Sequence, residues 1–419
     1  MRKRKSFQVL LFTKLILIFS MTVNGQIDKN YRDIEKKAFE ASSIEEYRSS
    51  LKFCTDILSI TPNHPRMNYL AARLNEQLGD SKAALFYLKK AAKLGYTSNI
   101  RWFEINPMND PVFSNLREKQ AFQEVVAIME KVDEPIHKSQ IAFIINDKSF
   151  RTEGITYDPV EGLFYLGGAH KIIKVDHSGN MIDFTNESNL EGLGWVNGVH
   201  VDAEQRNLWI CSNSMDKAEV FKYDLSTKNL IKKYTLRFNE NNYMFNDLVI
   251  HPNGDIYVTE TNNGDIYYIS HLSDSLQLFL NKKFIISLNG ITLSDDKRTL
   301  FAADDNIGIY KIDIKTKSCV LLAHQGDFHT YGIDGLYCAN NTLYVIQNML
   351  IPQVSKILLN KDATHITDCK ILEKNTNDLP SPTTGVIING YFYFIADSGG
   401  KGSKKDEVVV MKVPTEKTK

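Results

Sequence analysis

Six short segments after residue 150 repeat one pattern: a polar residue, then glycine or aspartate, then an aliphatic residue. They are Glu153-Gly154-Ile155, Asn197-Gly198-Val199, Asn246-Asp247-Leu248, Asn289-Gly290-Ile291, Asp334-Gly335-Leu336 and Thr384-Gly385-Val386. Their first residues are 44, 49, 43, 45 and 50 positions apart. Four of them, Glu153, Asn246, Asn289 and Asp334, offer two carboxylates and two amide carbonyls, all hard oxygen donors. Brought to one point, such a set suits one divalent cation, calcium by its donor preference, with water or ligand oxygens completing the shell. The histidine and thiolate donors usual for zinc are missing from it.

Something must bring these residues together. Seven to eleven positions after the first residue of each motif comes a second apolar run with an aromatic, such as Leu163-Phe164-Tyr165, Leu208-Trp209-Ile210 or Leu343-Tyr344-Val345. Turn residues lie between, as in Pro252-Asn253-Gly254. This reads as strand, turn, strand, repeated six times. A repeat of this length is one sheet of a propeller, whose innermost strands line a central channel. A polar residue capping each inner strand would then face the axis. The run Ile141 to Ile145 and the run Glu407 to Met411 have no blade of their own. Pairing them in the last blade closes the ring and removes its exposed edges.

At these positions the chain resembles the gluconolactonase, senescence-marker and luciferin-regenerating-enzyme family. Glu153-Gly154, Phe245-Asn246-Asp247, Leu288-Asn289-Gly290-Ile291 and Ile333-Asp334-Gly335 carry the resemblance, which spans roughly residues 140 to 415. It implies a six-bladed propeller with one axial cation held by Glu153, Asn246, Asn289 and Asp334. It implies Asp334 as ligand and general base of a hydrolase of lactones or related esters. Asp247 is expected behind Asn246, and Asn197 beside the substrate or a bound water. Family lactonases often carry arginine just before the F-N-D motif, where Met244 stands here. That departure favours a substrate with an apolar portion over a sugar lactone. Related arylesterases use a histidine pair near the metal. His200 and His251 fall in no such pattern and are expected at the surface or in turns. Asp304, Trp195, Tyr331 and Asn348 lie near blade ends, where they could wall the pocket. No G-x-S-x-G elbow occurs, which argues against a serine esterase. The alternative is a non-catalytic, metal-stabilised propeller used as a ligand-binding or protein-interaction module, since one fold hosts many functions.

Residues 28–132 differ in texture, being rich in Lys, Glu, Ala and Leu at helical spacing. Ala83, Ala84, Leu88, Ala91 and Ala92 after Leu78-Gly79-Asp80 resemble tetratricopeptide repeats. Such units can bind a protein or peptide partner, or simply pack on the propeller. The expected organisation is multidomain, α then all-β: a signal peptide at 1–25, a tetratricopeptide-like helical arm at 26–132, a linker at 133–138 and a six-bladed β-propeller at 139–415. The propeller, closing on its own termini, is expected to fold without the arm.

The signal reading rests on Met1-Arg2-Lys3-Arg4-Lys5, an apolar run from Leu15 to Val23, and small residues before Gln26. That run is short for a membrane anchor, which needs about 20 residues. The chain is therefore read as exported, periplasmic or secreted, with no membrane span after cleavage. Formal charge is +0. Removing five leader bases leaves 45 basic against 50 acidic residues, too few cations for a nucleic-acid partner. The five cysteines form no C-x-x-C pair and read as small apolar residues.

Overall fold

The computed structural model describes residues 31–100, 106–186, 192–238, 242–399 and 407–415. The expected signal segment, and Trp102 and Phe103 of the arm, lie outside them. No described helix is long and apolar enough to cross a membrane.

Among the described residues five α-helices come first: α1 (Tyr31–Ser43), α2 (Tyr47–Ile60), α3 (Pro65–Gln77), α4 (Ser81–Lys93) and α5 (Gln120–Asp133). Local chemistry sets their ends. Asp80 caps α4 by accepting from the Ala83 N–H at 3.0 Å, and His64 caps α3 through Met67 N–H with Pro65 at the first turn. Gly79 after α3, with φ +84°, takes the left-handed conformation that ends a helix without a Cβ penalty.

From residue 136 the described residues build six sheets, antiparallel except where Ala323–His324 pair parallel with His365 and Ile366 of blade five. The inner strands are Thr152–Asp158, Trp195–Asp202, Phe245–Ile250, Leu288–Leu293, Ile333–Ala339 and Gly385–Ile388. Blades one to five each run outward in chain order. The sixth has Gln140–Ile145 outermost, paired with Val408–Pro414, so strands from both ends of the propeller close the ring. The segment expected as a linker takes part in the fold: α5 runs to Asp133, and Ile136–His137 pair antiparallel with Lys374 and Glu373 at the edge of blade five.

The arm does not stand apart. Tyr31, Ala38, Cys54, Ile57, Met67, Leu70 and Leu74 share one buried cluster with Tyr257, Phe279, Ile286, Ile307 and Tyr310 of blades three and four. A second cluster joins Tyr69, Leu88, Tyr96, Phe113 and Phe122 to Tyr331 and Leu350 of the propeller. Polar ties lie around them. The Arg32 guanidinium donates to the Asn262 carbonyl at 2.7 Å and to that of Ile286. Asn63 donates to Gly326 O at 2.7 Å, and Lys93 pairs with Asp327 at 2.7 Å. Each large side chain so buried contributes about 1.5–3 kcal/mol. Of the two uses foreseen for the arm, packing on the propeller is the one its apolar faces serve.

Candidate axial site

The register explains how the repeated polar residues reach the axis. In five blades the pairing of the first two strands slips at the motif: between Thr152 and Gly154, Val196 and Val199, Phe245 and Leu248, Leu288 and Ile291, and Ile333 and Gly335. A β-bulge inserts an unpaired residue and re-aims its side chain. Here the re-aimed residues are Glu153, Asn197, Asn246, Asn289 and Asp334. The glycines that follow have a separate task. A Cβ on Gly154 would stand 2.1 Å from Asn197 O, and one on Gly290 2.8 Å from Asp334 O. Only glycine lets neighbouring inner strands crowd so closely around the channel.

All five side chains line one cavity of about 190 Å³, together with Met244, Asp305, Ile333, Asn348 and Met349. Hydrogen bonds fix them. Asn246 Nδ2 donates to Thr261 Oγ1 at 3.0 Å, leaving its carbonyl oxygen as the atom available to a ligand. Asn348 Nδ2 donates to Asp334 Oδ2 at 2.6 Å. Asn213 Nδ2 donates to Asn197 Oδ1 at 3.4 Å and to Phe245 O at 2.8 Å, and Asn213 Oδ1 accepts from Phe245 N–H at 2.9 Å. The Glu153 carbonyl takes hydrogen bonds from the Thr383 and Thr384 hydroxyls of blade six, at 3.0 and 2.5 Å.

The electrostatics are those of an acid pair without enough counter-charge. Burial pushes Glu153 up to about 7, with Arg151 opposing. Asp334 is raised well above the usual carboxylate range by burial, then by the charge of Glu153. The Asn289 amide helps hold Asp334, yet Asn289 Oδ1 is buried without a hydrogen-bond partner. An orphaned amide oxygen beside two buried carboxylates is costly as it stands. A divalent cation would relieve all three, so the residues present fit an oxygen-coordinated ion. Among the described residues no three His, Cys, Asp or Glu side chains gather as a metal cluster. The axial set is of another kind, two carboxylates with amides.

Other expected residues take different places. Asp247 does not line the cavity. Its carboxylate accepts from Leu248 N–H at 2.9 Å and Ile291 N–H at 3.4 Å, and His200 Nε2 lies 3.1 Å from it. It therefore ties three inner strands together below the site. His200, expected at the surface or in a turn, is half-buried against Asp247 because the second inner strand carries it inward past the bulge. His251 is in a turn, bonded to Asn253. Asp304 is fully buried and accepts four backbone N–H groups, from Ile286, Ser287, Asn306 and Ile307. Trp195 lies under the Arg151 guanidinium, 5.5 Å from ring centroid to carbon, and Tyr331 joins the arm's core.

Asp305 and Met349 were not foreseen as pocket residues. Strand register links them to their neighbours: Asn213, Thr261, Asp305 and Asn348 stand at one equivalent position, at or just past the end of the second strands of blades two to five.

Residues 151–349 match the family described as SMP-30/Gluconolactonase/LRE-like region. No curated protein sequence matches the chain. The solved structures similar to it include the following three. One is the PQQ-bound aldose sugar dehydrogenase from Streptomyces coelicolor, at TM-score 0.47 and 12% identity, covering 67% of this chain and 99% of that one. A luciferin-regenerating enzyme gives TM-score 0.47 and 13% identity, covering 67% and 95%. A virginiamycin B lyase from Staphylococcus aureus gives 0.44 and 14%, covering 66% and 99%. The family match spans the inner strands of blades one to five, so the likeness of this chain to the SMP-30/Gluconolactonase/LRE-like family lies in its propeller.

Proposed function

We propose that the protein is an exported, metal-dependent hydrolase of lactones or related esters, with its reaction at the propeller axis. The observation that carries this reading is the convergence of Glu153, Asn246, Asn289 and Asp334 on one small cavity, with Asn289 Oδ1 left unpartnered. These four residues would hold one divalent cation, calcium by donor type. When bound, such an ion polarises a carbonyl as a Lewis acid.

The chain's own groups do the rest. Asp334, anchored by Asn348, takes a proton from the attacking water as that oxygen bonds to the carbonyl carbon. The ring carbon–oxygen bond then breaks, and the same proton passes to the leaving alkoxide. The product is a hydroxy acid, or an acid and an alcohol. Met244, Met349 and Ile333 make part of the wall apolar, which favours a substrate with an apolar portion over gluconolactone. With its apolar faces taken by the propeller, the arm serves as a buttress; a protein or peptide partner would meet its outward side.

The test is a panel of lactones and activated esters, assayed with calcium, with a chelator, and with Asp334→Asn. Chelator-sensitive turnover that Asp334→Asn removes supports the reading. No such turnover on any member would leave a non-catalytic, metal-stabilised binding module as the better account.

A further inference from the structure

One position in the ring breaks the pattern of its neighbours. Ser212 pairs with Val196, Glu260 with Phe245, Asp304 with Leu288 and Gln347 with Ile333. The next residue in each second strand is therefore equivalent across four blades: Asn213, Thr261, Asp305 and Asn348. Backbone bonding agrees. The amide of Thr261 bonds Met244 O, that of Asp305 bonds Ser287 O, and that of Asn348 bonds Gly332 O, each the residue before or opening an inner strand.

In three blades this residue makes a donor–acceptor pair with the axial residue of its own blade. Asn213 donates to Asn197, Thr261 accepts from Asn246, and Asn348 donates to Asp334. Blade four differs. Asn289 gives its amide N–H to Asp334 and its Oδ1 has no partner. Unlike the amides of Asn213 and Asn348, the Asp305 side chain carries no N–H to offer that oxygen. Two acceptors face one cavity where the sister blades have a matched pair. Asp305 itself receives Asn306 Nδ2 at 2.6 Å and the Ser287 side chain, which leaves acceptor capacity unused.

The wall that carries Asp305 is also fixed from behind. Gly332 N–H bonds the Asp305 carbonyl at 2.6 Å. The adjoining Tyr331 packs into the arm's core and meets the His64 ring at 4.7 Å between centroids. Met349, across the cavity lining, packs against the same cluster. An acceptor held this rigidly can discriminate between ligands rather than adapt to them.

We propose that Asp305 is the specificity-determining residue of the axial pocket, taking a hydrogen bond from a hydroxyl on a small lactone or ester while Met244 and Met349 face its apolar part. This rests on the lactone reading above for its ligand class. It goes further in naming the substituent the pocket selects.

The test compares γ-butyrolactone with its α- and β-hydroxy derivatives on the full-length wild type, Asp305→Ala and Asp305→Asn. Both kcat/KM and equilibrium binding by calorimetry are measured, with melting curves to show that each variant is folded. The wild type should favour one hydroxylated lactone by about 10- to 100-fold, the range of a hydrogen bond to a charged group. In Asp305→Ala that ratio should collapse to near one, with Asp305→Asn between. An unchanged ratio in Asp305→Ala, or no preference or no binding by the wild type, overturns the proposal. So does loss of ion binding in Asp305→Ala with the ratio intact, because Asp305 would then be a metal ligand. Hydroxyl-selective binding that depends on Asp305, with no turnover, supports the selection while overturning the hydrolase reading.

Discussion

Asn348 Nδ2 donates to the Asp334 carboxylate at 2.6 Å and reaches the Pro382 carbonyl at 3.1 Å. One amide thus sets the orientation of the axial acid and fastens it to the blade that closes the ring. Groups that orient a ligand typically change metal affinity about 10- to 100-fold when removed. Asn348→Ala should weaken calcium binding by that amount in a calorimetric titration. Equal affinity in wild type and variant would show that Asp334 needs no such anchor.

The four proposed ligands should not be equal. Glu153→Ala removes a charge and should weaken calcium binding most, whereas Asn289→Ala removes a neutral oxygen and should cost less. Asp334→Asn keeps an oxygen donor but loses the base, so turnover should fall more than affinity. Elemental analysis of the purified protein, before and after calcium loading, checks the premise. No retained divalent ion under either condition would remove the metal from the site.

Much of this was legible from local pattern. Six polar-Gly or polar-Asp motifs at blade spacing gave the ring, and the two unassigned apolar runs gave its closure, because strand alternation and turn chemistry are short-range signals. Asp305 was not legible. Its neighbour Asp304 is equally acidic, and only strand register decides which of the two is buried under backbone amides and which faces the cavity. Nor was the inward turn of His200, which depends on a bulge that shifts the side-chain alternation of one strand. The arm's docking was hidden for a different reason. A helix stripe such as Tyr31, Ala38 and Ala41 says that a face is buried but not against what.

That docking changes the expectation for a chain without its arm. Closure of the ring on its own termini suggested an independent propeller, yet Phe279, Ile286, Ile307 and Tyr310 are buried together with arm residues. Deleting residues 26–132 should expose this patch and give an aggregation-prone or cooperatively weakened protein. A milder probe is Arg32→Ala, which strands two blade carbonyls and should cost about 1–3 kcal/mol. A truncated propeller that melts as sharply as the full chain, at the same temperature, would show that the shared core is dispensable.

The same interface should be sensitive to acid. Burial lowers His64 to about 3 and His324 and His329 to about 4. All three lie where the arm meets the propeller: His64 opens α3, Asn63 contacts His324, and Gln347 bonds His329. The folded protein keeps them neutral, whereas the unfolded chain protonates them below its ordinary value of about 6.5. Their contribution is therefore complete above that value and is lost as pH falls toward 4. Asp304 and Asp305, pushed up to about 6 and about 7 by burial, act in the opposite sense: their contribution is present at low pH and is lost as pH rises through those values. The two trends overlap, so the wild-type curve alone would hide each. His329→Gln isolates one. Between pH 7 and pH 4 the stability advantage of wild type over this variant should shrink by up to about 3 kcal/mol, the free-energy equivalent of the His329 shift. Denaturant unfolding of both proteins across that range measures it, and a constant gap would mean that His329 is not held neutral by the docked arm.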